Sequence, residues 1–136
     1  MKILVTGGAG YIGSHVVLAL CEGRYDVVVL DDLSSGNREA VDDRAEFIQG
    51  STLNNDKVAT ALNDVDAVIH LAAFKAAGES MIDPGKYSQN NISGTIFLLN
   101  AMITHGVDKF IFSSTAAVYG YPKYLQIGRA SFRERV

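Results

Sequence analysis

Three glycines near the N-terminus, Gly7, Gly10 and Gly13, are spaced Gly-x-x-Gly-x-x-Gly. They follow a short apolar run, Ile3 to Val5, and lead into an apolar, helical stretch from Ile12 to Leu20. Strand, glycine turn and helix in that order make an anion site. Free N–H groups and the positive end of the helix dipole there meet a pyrophosphate. Gly7 allows the sharp turn, Gly10 lets the main chain approach the phosphates, and Gly13 lets the helix pack tightly on the strand. The next group with chemistry to offer is Asp31. It closes the β-branched run Asp26 to Leu30 and lies 24 residues after Gly7, where a carboxylate can accept from ribose hydroxyls. A carboxylate at that point repels a 2′-phosphate, which favours NAD over NADP. Read alone, Asp31 and Asp32 also open a polar turn before Ser34-Ser35-Gly36.

Such groups need a sheet to hold them. Glu46 to Gln49 reads as a third strand, preceded by a charged loop from Arg38 to Arg44. A helix over Asp56 to Leu62 has Asn54 or Asn55 as its N-cap. Ala67 to Leu71 is a fourth strand. Tyr87 to Thr104 has helical periodicity through Ile92, Ile96, Leu99 and Ile103, with Gly106 as the stop, and Lys109 to Ser113 is a fifth strand. This alternation predicts an α/β fold, a Rossmann-like doubly wound parallel sheet of about five strands in this chain. Ligands of such sheets collect at the carboxyl ends of the strands, where strand order reverses. Strand four delivers Ala72-Ala73-Phe74-Lys75, small residues that let a flat ring or ribose approach the backbone. Strand five delivers Ser113-Ser114-Thr115, where a hydroxyl either meets a substrate oxygen or merely ends the strand in a turn.

The chain has 136 residues, enough for one core and too few for two ordinary domains. A net charge of −3 with mixed signs carries no nucleic-acid footprint. No apolar run reaches the roughly 18 residues of a membrane span, and Gly7 and Gly8 interrupt any secretory apolar region. The single cysteine, Cys21, rules out an internal disulfide and fits a reducing, cytoplasmic compartment, with Cys21 as a packing residue late in the first helix. His15, His70 and His105 form no metal-like constellation; His15 reads as a local cap and His70 as part of strand four.

Several blocks together resemble the UDP-glucose 4-epimerases, which are extended short-chain dehydrogenase/reductases. These are Gly7 to Ser14, Asp31-Asp32-Leu33, Ile69 to Ser80, Asn90 to Thr95 and Phe112 to Gly120, in order and with the family's spacings over residues 1 to 125. The glycine turn and the last block are shared with sister sugar-nucleotide enzymes, whereas Lys75 to Ser80 followed by Asn90-Asn91 is more particular to the 4-epimerases. The resemblance implies NAD-dependent interconversion of UDP-glucose and UDP-galactose by transient oxidation at C4. It implies that Tyr11 and Ile12 contact the pyrophosphate through their backbone. Asp31 would hold the adenosine ribose, and Asp32, Leu33, Ser34, Ser35 and Gly36 would line the adenine side. Ser51 and Thr52 would close that side, Ser51 standing where the family has an acid that reads the adenine amino group. Leu71, Ala72, Ala73, Phe74, Lys75 and Asn90 would line the nicotinamide half, and Thr115 would bond the sugar 4-oxygen. A UDP-sugar is the implied partner of the full-length protein. A homodimer is compatible with the resemblance, although the residues do not specify an oligomeric state.

The family's base and helper form a Tyr-x-x-x-Lys pair on a helix beyond the Thr115 position, where the lysine lowers the tyrosine pKa. The only match here, Tyr119 to Lys123, holds Gly120 and Pro122, which oppose a helix. It is expected to be a decoy, and the chain is expected to be an incomplete, inactive N-terminal piece. Gln126 to Val136 departs from the family's pattern and reads as a non-native tail, with a genuine basic tail as the alternative. The resulting organisation is an incomplete NAD-binding domain over 1–125 and the tail over 126–136. Without a sixth strand, strand five is an apolar open edge, which favours association and weak NAD binding. Two other readings stay open: a sister dehydratase or decarboxylase, disfavoured by Ala116 beside Thr115, and a non-catalytic NAD-binding module.

Overall fold

A computed structural model describes residues 1–115. The Tyr119 to Lys123 pair, Ala116 and the Gln126 to Val136 tail lie outside the described residues. Strand β1 (Lys2–Thr6) is followed by α1 (Tyr11–Glu22), β2 (Asp26–Asp31), a 3₁₀ turn (Arg38–Ala40) and β3 (Glu46–Gln49). Then come α2 (Asn55–Ala61), β4 (Ala67–His70), the short helices α3 (Ala77–Ile82) and α4 (Pro84–Ser88), a π turn (Gln89–Ser93), α5 (Gly94–His105) and β5 (Lys109–Phe112). All four strand pairings are parallel, and the order is β3-β2-β1-β4-β5. This is the α/β, Rossmann-like sheet expected from the alternation of elements.

The strands are apolar on both faces because both are covered. Ile3, Val5, Val27 and Val29 point toward Val17 and Cys21 of α1. Leu4, Val28, Leu30 and Val68 point to the other face, against Val58 and Ala61 of α2 and Leu98 and Met102 of α5. Burial of each such aliphatic side chain contributes about 1.5–3 kcal/mol before entropy is counted. From β1 the chain winds outward through β2 and β3, then crosses back to place β4 on the other side of β1. The switch point therefore lies at the carboxyl ends of β1 and β4.

Local signals account for the element ends. Asn54, not Asn55, caps α2: its Oδ1 accepts from Lys57 N at 3.1 Å. Gly106 ends α5 in the left-handed region, at φ 71°. The helix around Tyr87 differs from expectation in two respects. It begins at Pro84, with Asp83 accepting from Lys86 N, and it is interrupted by the π turn. The stripe Ile92, Ile96, Leu99 and Ile103 is its exposed side, while Gly94, Leu98 and Met102 face the sheet. The helix is apolar nearly all round, so periodicity could not choose its inner face. Packing shows it: Leu98 and Met102 lie in the core, and a Cβ on Gly94 would lie 2.5 Å from Thr52 Oγ1, so glycine lets this face lie close to the Thr52 turn. On β5, paired to β4 at the sheet edge, Ile111 and Phe112 are exposed.

Candidate functional site

The glycine turn has a geometry that requires its glycines. Gly7 sits at φ 73°, and a Cβ there would lie 2.7 Å from Ala72 N. A Cβ on Gly13 would lie 2.0 Å from Gly7 O, so the first turn of α1 rests on the main chain of the glycine turn itself. Helix α1 starts at Gly10 with no side-chain cap and no acid in its first turn. The N–H groups of its first residues thus have neither a capping partner nor a compensating negative charge within the helix.

Asp31 is buried, and its two oxygens hold two pieces of main chain: Oδ2 accepts from Ala9 N at 2.9 Å and Oδ1 from Leu33 N at 2.8 Å. It therefore ties the end of β2 to the glycine turn, a structural duty beyond the one its position suggested. Each oxygen keeps lone-pair capacity for a further donor. Asp32 folds the following turn, accepting from Ser34 N at 2.9 Å.

The opposite wall, residues 71–75, has no regular secondary structure. Asn91 in the π turn holds it like a short ladder rung, donating from Nδ2 to Phe74 O and accepting at Oδ1 from Phe74 N, both at 2.9 Å. Asn90 Nδ2 donates to the same Asn91 oxygen. Behind Phe74 lies a polar brace. Lys86 Nζ is 4.9 Å from the Phe74 ring centre, and Glu79 accepts from both Lys86 and the Tyr87 hydroxyl. The hydrogen bond from Lys86 holds the Glu79 carboxyl below its usual range, and burial, then the bond to Glu79, pushes the Tyr87 hydroxyl up.

Between these walls is a cleft of about 280 Å³ at the switch point. Of the residues expected in a dinucleotide site, Gly7, Gly10, Tyr11, Ile12, Gly13, Asp31, Asp32, Ser34 and Ser35 line its β1–β2 side, with Ser51 and Thr52 beside them. Leu71 to Lys75 and Asn90 line the other side. Leu33 and Gly36 do not. Leu33 packs on the core that α1 covers, and a Cβ on Gly36 would lie 2.8 Å from the Ala9 side chain, so that glycine fits its loop onto the glycine turn. Thr115 is exposed, three residues past β5, and is not part of the lining. Ser113, one of the residues strand five was expected to deliver, lines the cleft, and so do Leu30 and Gly50, which were not expected there. Leu30 is the last residue but one of β2 and Gly50 directly follows β3, so both belong to the carboxyl ends of strands where such sheets bind ligands. His15 serves locally, its Nδ1 donating to Tyr11 O at 2.8 Å. Cys21 is buried against the same face of the sheet, and burial raises its thiol pKa.

The donor set fits a dinucleotide. An uncapped helix start suits a pyrophosphate, a buried acid without a basic partner among the described residues suits ribose hydroxyls, and a wall of small residues suits a flat ring.

Comparisons with known proteins agree with this geometry. The chain belongs to the NAD dependent epimerase/dehydratase family, whose model matches residues 3–133. It is 50% identical over 129 residues to the UDP-glucose 4-epimerase of Lacticaseibacillus casei, covering 93% of this chain and 39% of that protein. The UDP-glucose 4-epimerase of Brucella ovis, solved with NAD, superposes with a TM-score of 0.82 at 42% identity, over 93% of this chain and 39% of that one. The Thermotoga maritima UDP-glucose 4-epimerase, solved with UDP-glucose, does so with a TM-score of 0.84 at 41% identity, over 92% and 41%. The chain thus spans about two fifths of the length of these relatives. Among the described residues no helix is long and apolar enough to cross a membrane.

Proposed function

We propose that this chain is the NAD-binding part of a UDP-glucose 4-epimerase, an isomerase that interconverts UDP-glucose and UDP-galactose by transient oxidation at C4 of the sugar. The observation that carries the reading is the cleft itself, where the bare start of α1, the buried Asp31 and the small-residue wall face one another. NAD, when bound, supplies the hydride acceptor and donor for the sugar carbon. The chain's own residues bind and orient. The N–H groups of Tyr11, Ile12 and Gly13 receive the pyrophosphate, and Asp31 accepts from the adenosine ribose. Asp32, Ser34, Ser35, Ser51 and Thr52 surround the adenine side. Leu71, Ala72, Ala73, Phe74, Lys75 and Asn90 enclose the nicotinamide side. Thr115 bonds the sugar 4-oxygen when the rest of the protein brings the UDP-sugar to it. The base that takes the 4-hydroxyl proton is supplied by a Tyr-x-x-x-Lys helix outside these residues, so the 136 residues alone bind NAD without turnover. The relatives' sugar substrates and the sequence blocks shared with 4-epimerases support this over a sister dehydratase.

Calorimetric titration with NAD and NADP tests the reading. NAD binds the 136-residue chain and NADP does not, and Asp31→Asn weakens NAD about 10- to 100-fold by removing a charged acceptor. Equal affinity for NAD and NADP, or no effect of Asp31→Asn, would overturn it.

A further inference from the structure

Residues 70 to 74, which lead into and form most of the 71–75 wall, are tied at both ends to one stretch of helix. Phe74, at one end, is held by the side chain of Asn91. His70, at the other, is held by Thr95 one turn further along: His70 Nε2 lies 2.9 Å from Thr95 Oγ1. On the other side of the imidazole, Nδ1 lies 2.6 Å from Thr6 Oγ1 at the end of β1. His70 is 3% exposed, and its ring stacks against Phe110 and Phe112 of β5 with centres 6.0 and 5.8 Å away.

The hydrogens in this set are determined by elimination. Thr95 Oγ1 donates its one proton to Asn91 O at 2.7 Å, so toward His70 it can only accept. Nε2 therefore carries the ring proton, and Nδ1 is a bare acceptor that receives the Thr6 hydroxyl. Thr6 Oγ1 in turn accepts from Ala72 N at 3.5 Å. The result is one unidirectional chain from Ala72 N–H through Thr6, His70 and Thr95 to Asn91 C=O, in which each bond polarises the next. Burial holds the imidazole at about 4, well below its ordinary range, so the ring is neutral at pH 7.

We infer that His70 is a positioning residue for the dinucleotide site: as the Nε2–H tautomer it locks β1, β4 and α5 together and so sets the Ala72 to Phe74 wall against the nicotinamide half of the ligand. This rests on the cleft being an NAD site. It assigns a role to a residue that touches no part of the cleft and acts through Thr6 and Thr95.

The test has two independent readouts on the 136-residue chain. Long-range ¹H–¹⁵N correlation without ligand reads the ring, and the expected signature at pH 7 is a protonated Nε2 with an unprotonated Nδ1. Calorimetry with NAD and with ADP then compares Thr6→Val and Thr95→Val with Thr6→Ser and Thr95→Ser. The valines weaken NAD about tenfold and leave ADP, which has no nicotinamide half, unchanged, while the serines keep wild-type affinity for both. A charged ring or an Nδ1–H tautomer overturns the inference, as do valine and serine variants of equal affinity or parallel losses of NAD and ADP. Should a valine variant fail to fold, the wild-type tautomer and the serine variants still decide it. A wild-type chain that binds neither NAD nor ADP overturns the functional reading instead, and the tautomer alone then decides the hydrogen-bond chain.

Discussion

The β1–β2 wall of the cleft and the β4 wall are held in different ways. On the first, main chain packs on main chain: Gly13 lies against the Gly7 carbonyl, and Asp31 reaches 22 residues back to Ala9 N within one strand-turn-helix-strand unit. On the second, the wall is irregular and is held by side chains from distant segments: Thr6 with His70 across 64 residues, His70 with Thr95 across 25, and Asn91 with Phe74 across 17. The first kind of wall leaves no room for an added atom at Gly13. The second depends on each buried donor keeping an acceptor.

The sharpest way to break the comparison is to add one methyl group in the glycine turn and, as its control, one outside both walls. Gly13→Ala places a carbon 2.0 Å from the Gly7 carbonyl oxygen, where neither main chain can yield. It is expected to cost about 3 kcal/mol or more and to abolish NAD binding, as read by urea unfolding and calorimetry. Gly78→Ala, in the α3 region beyond the β4 wall, meets no atom within 4 Å and is expected to leave both unchanged.

Acid should loosen the β4 wall through His70. His70 titrates at about 4 in the fold against about 6.5 in an unfolded chain. Because the unfolded chain binds the proton more readily, the stability from keeping this ring neutral is complete above pH 6.5. It is lost as the pH falls toward 4, by roughly 3 kcal/mol. Asp42 is held near 2 by its hydrogen bonds from Arg44, so its contribution is lost only below the ordinary carboxylate range. Urea midpoints between pH 7 and 4 check the window. A profile unchanged from pH 7 to 4.5 would show that the ring is not buried neutral.

A smaller effect is expected at the start of α2, two residues past Thr52 of the cleft lining and not itself part of that lining. Asn54→Ala removes the cap of α2 and is expected to cost about 1 kcal/mol with NAD affinity unchanged, which separates fold stability from site geometry.

The β1–β2 wall was readable in advance because its determinants are local. Gly7, Gly10, Gly13 and Asp31 fall at intervals set by one turn and one strand length, and their chemistry depends on main-chain geometry that glycine and a strand-end acid alone allow. The small residues Ala72 and Ala73 were readable for the same reason. The network that positions them was not. His70 looks like an ordinary member of a buried strand, and Thr6 and Thr95 carry no spacing that links them. Leu33 and Gly36 lie in the turn after β2 but outside the cleft lining, and the order of residues in a turn does not show which of them face the cleft.

By itself the sequence determined the parallel α/β alternation, the glycine turn, the acid after β2, a helix start at Asn54 or Asn55 and the helix stop at Gly106, all consequences of the conformational preferences of a few adjacent residues. Only the tertiary structure decided which face of α5 lies on the sheet and which tautomer His70 must adopt. Helix α5 is apolar on both sides, and its buried side is seen only in the packing, where Leu98 and Met102 enter the core and Gly94 lies against Thr52. The His70 proton follows from where the Thr95 hydroxyl must spend its own, a matter settled by a carbonyl four residues before Thr95 in the same helix. Both depend on contacts between segments whose separation along the chain carries no periodic signal, so they exist only once the chain has folded.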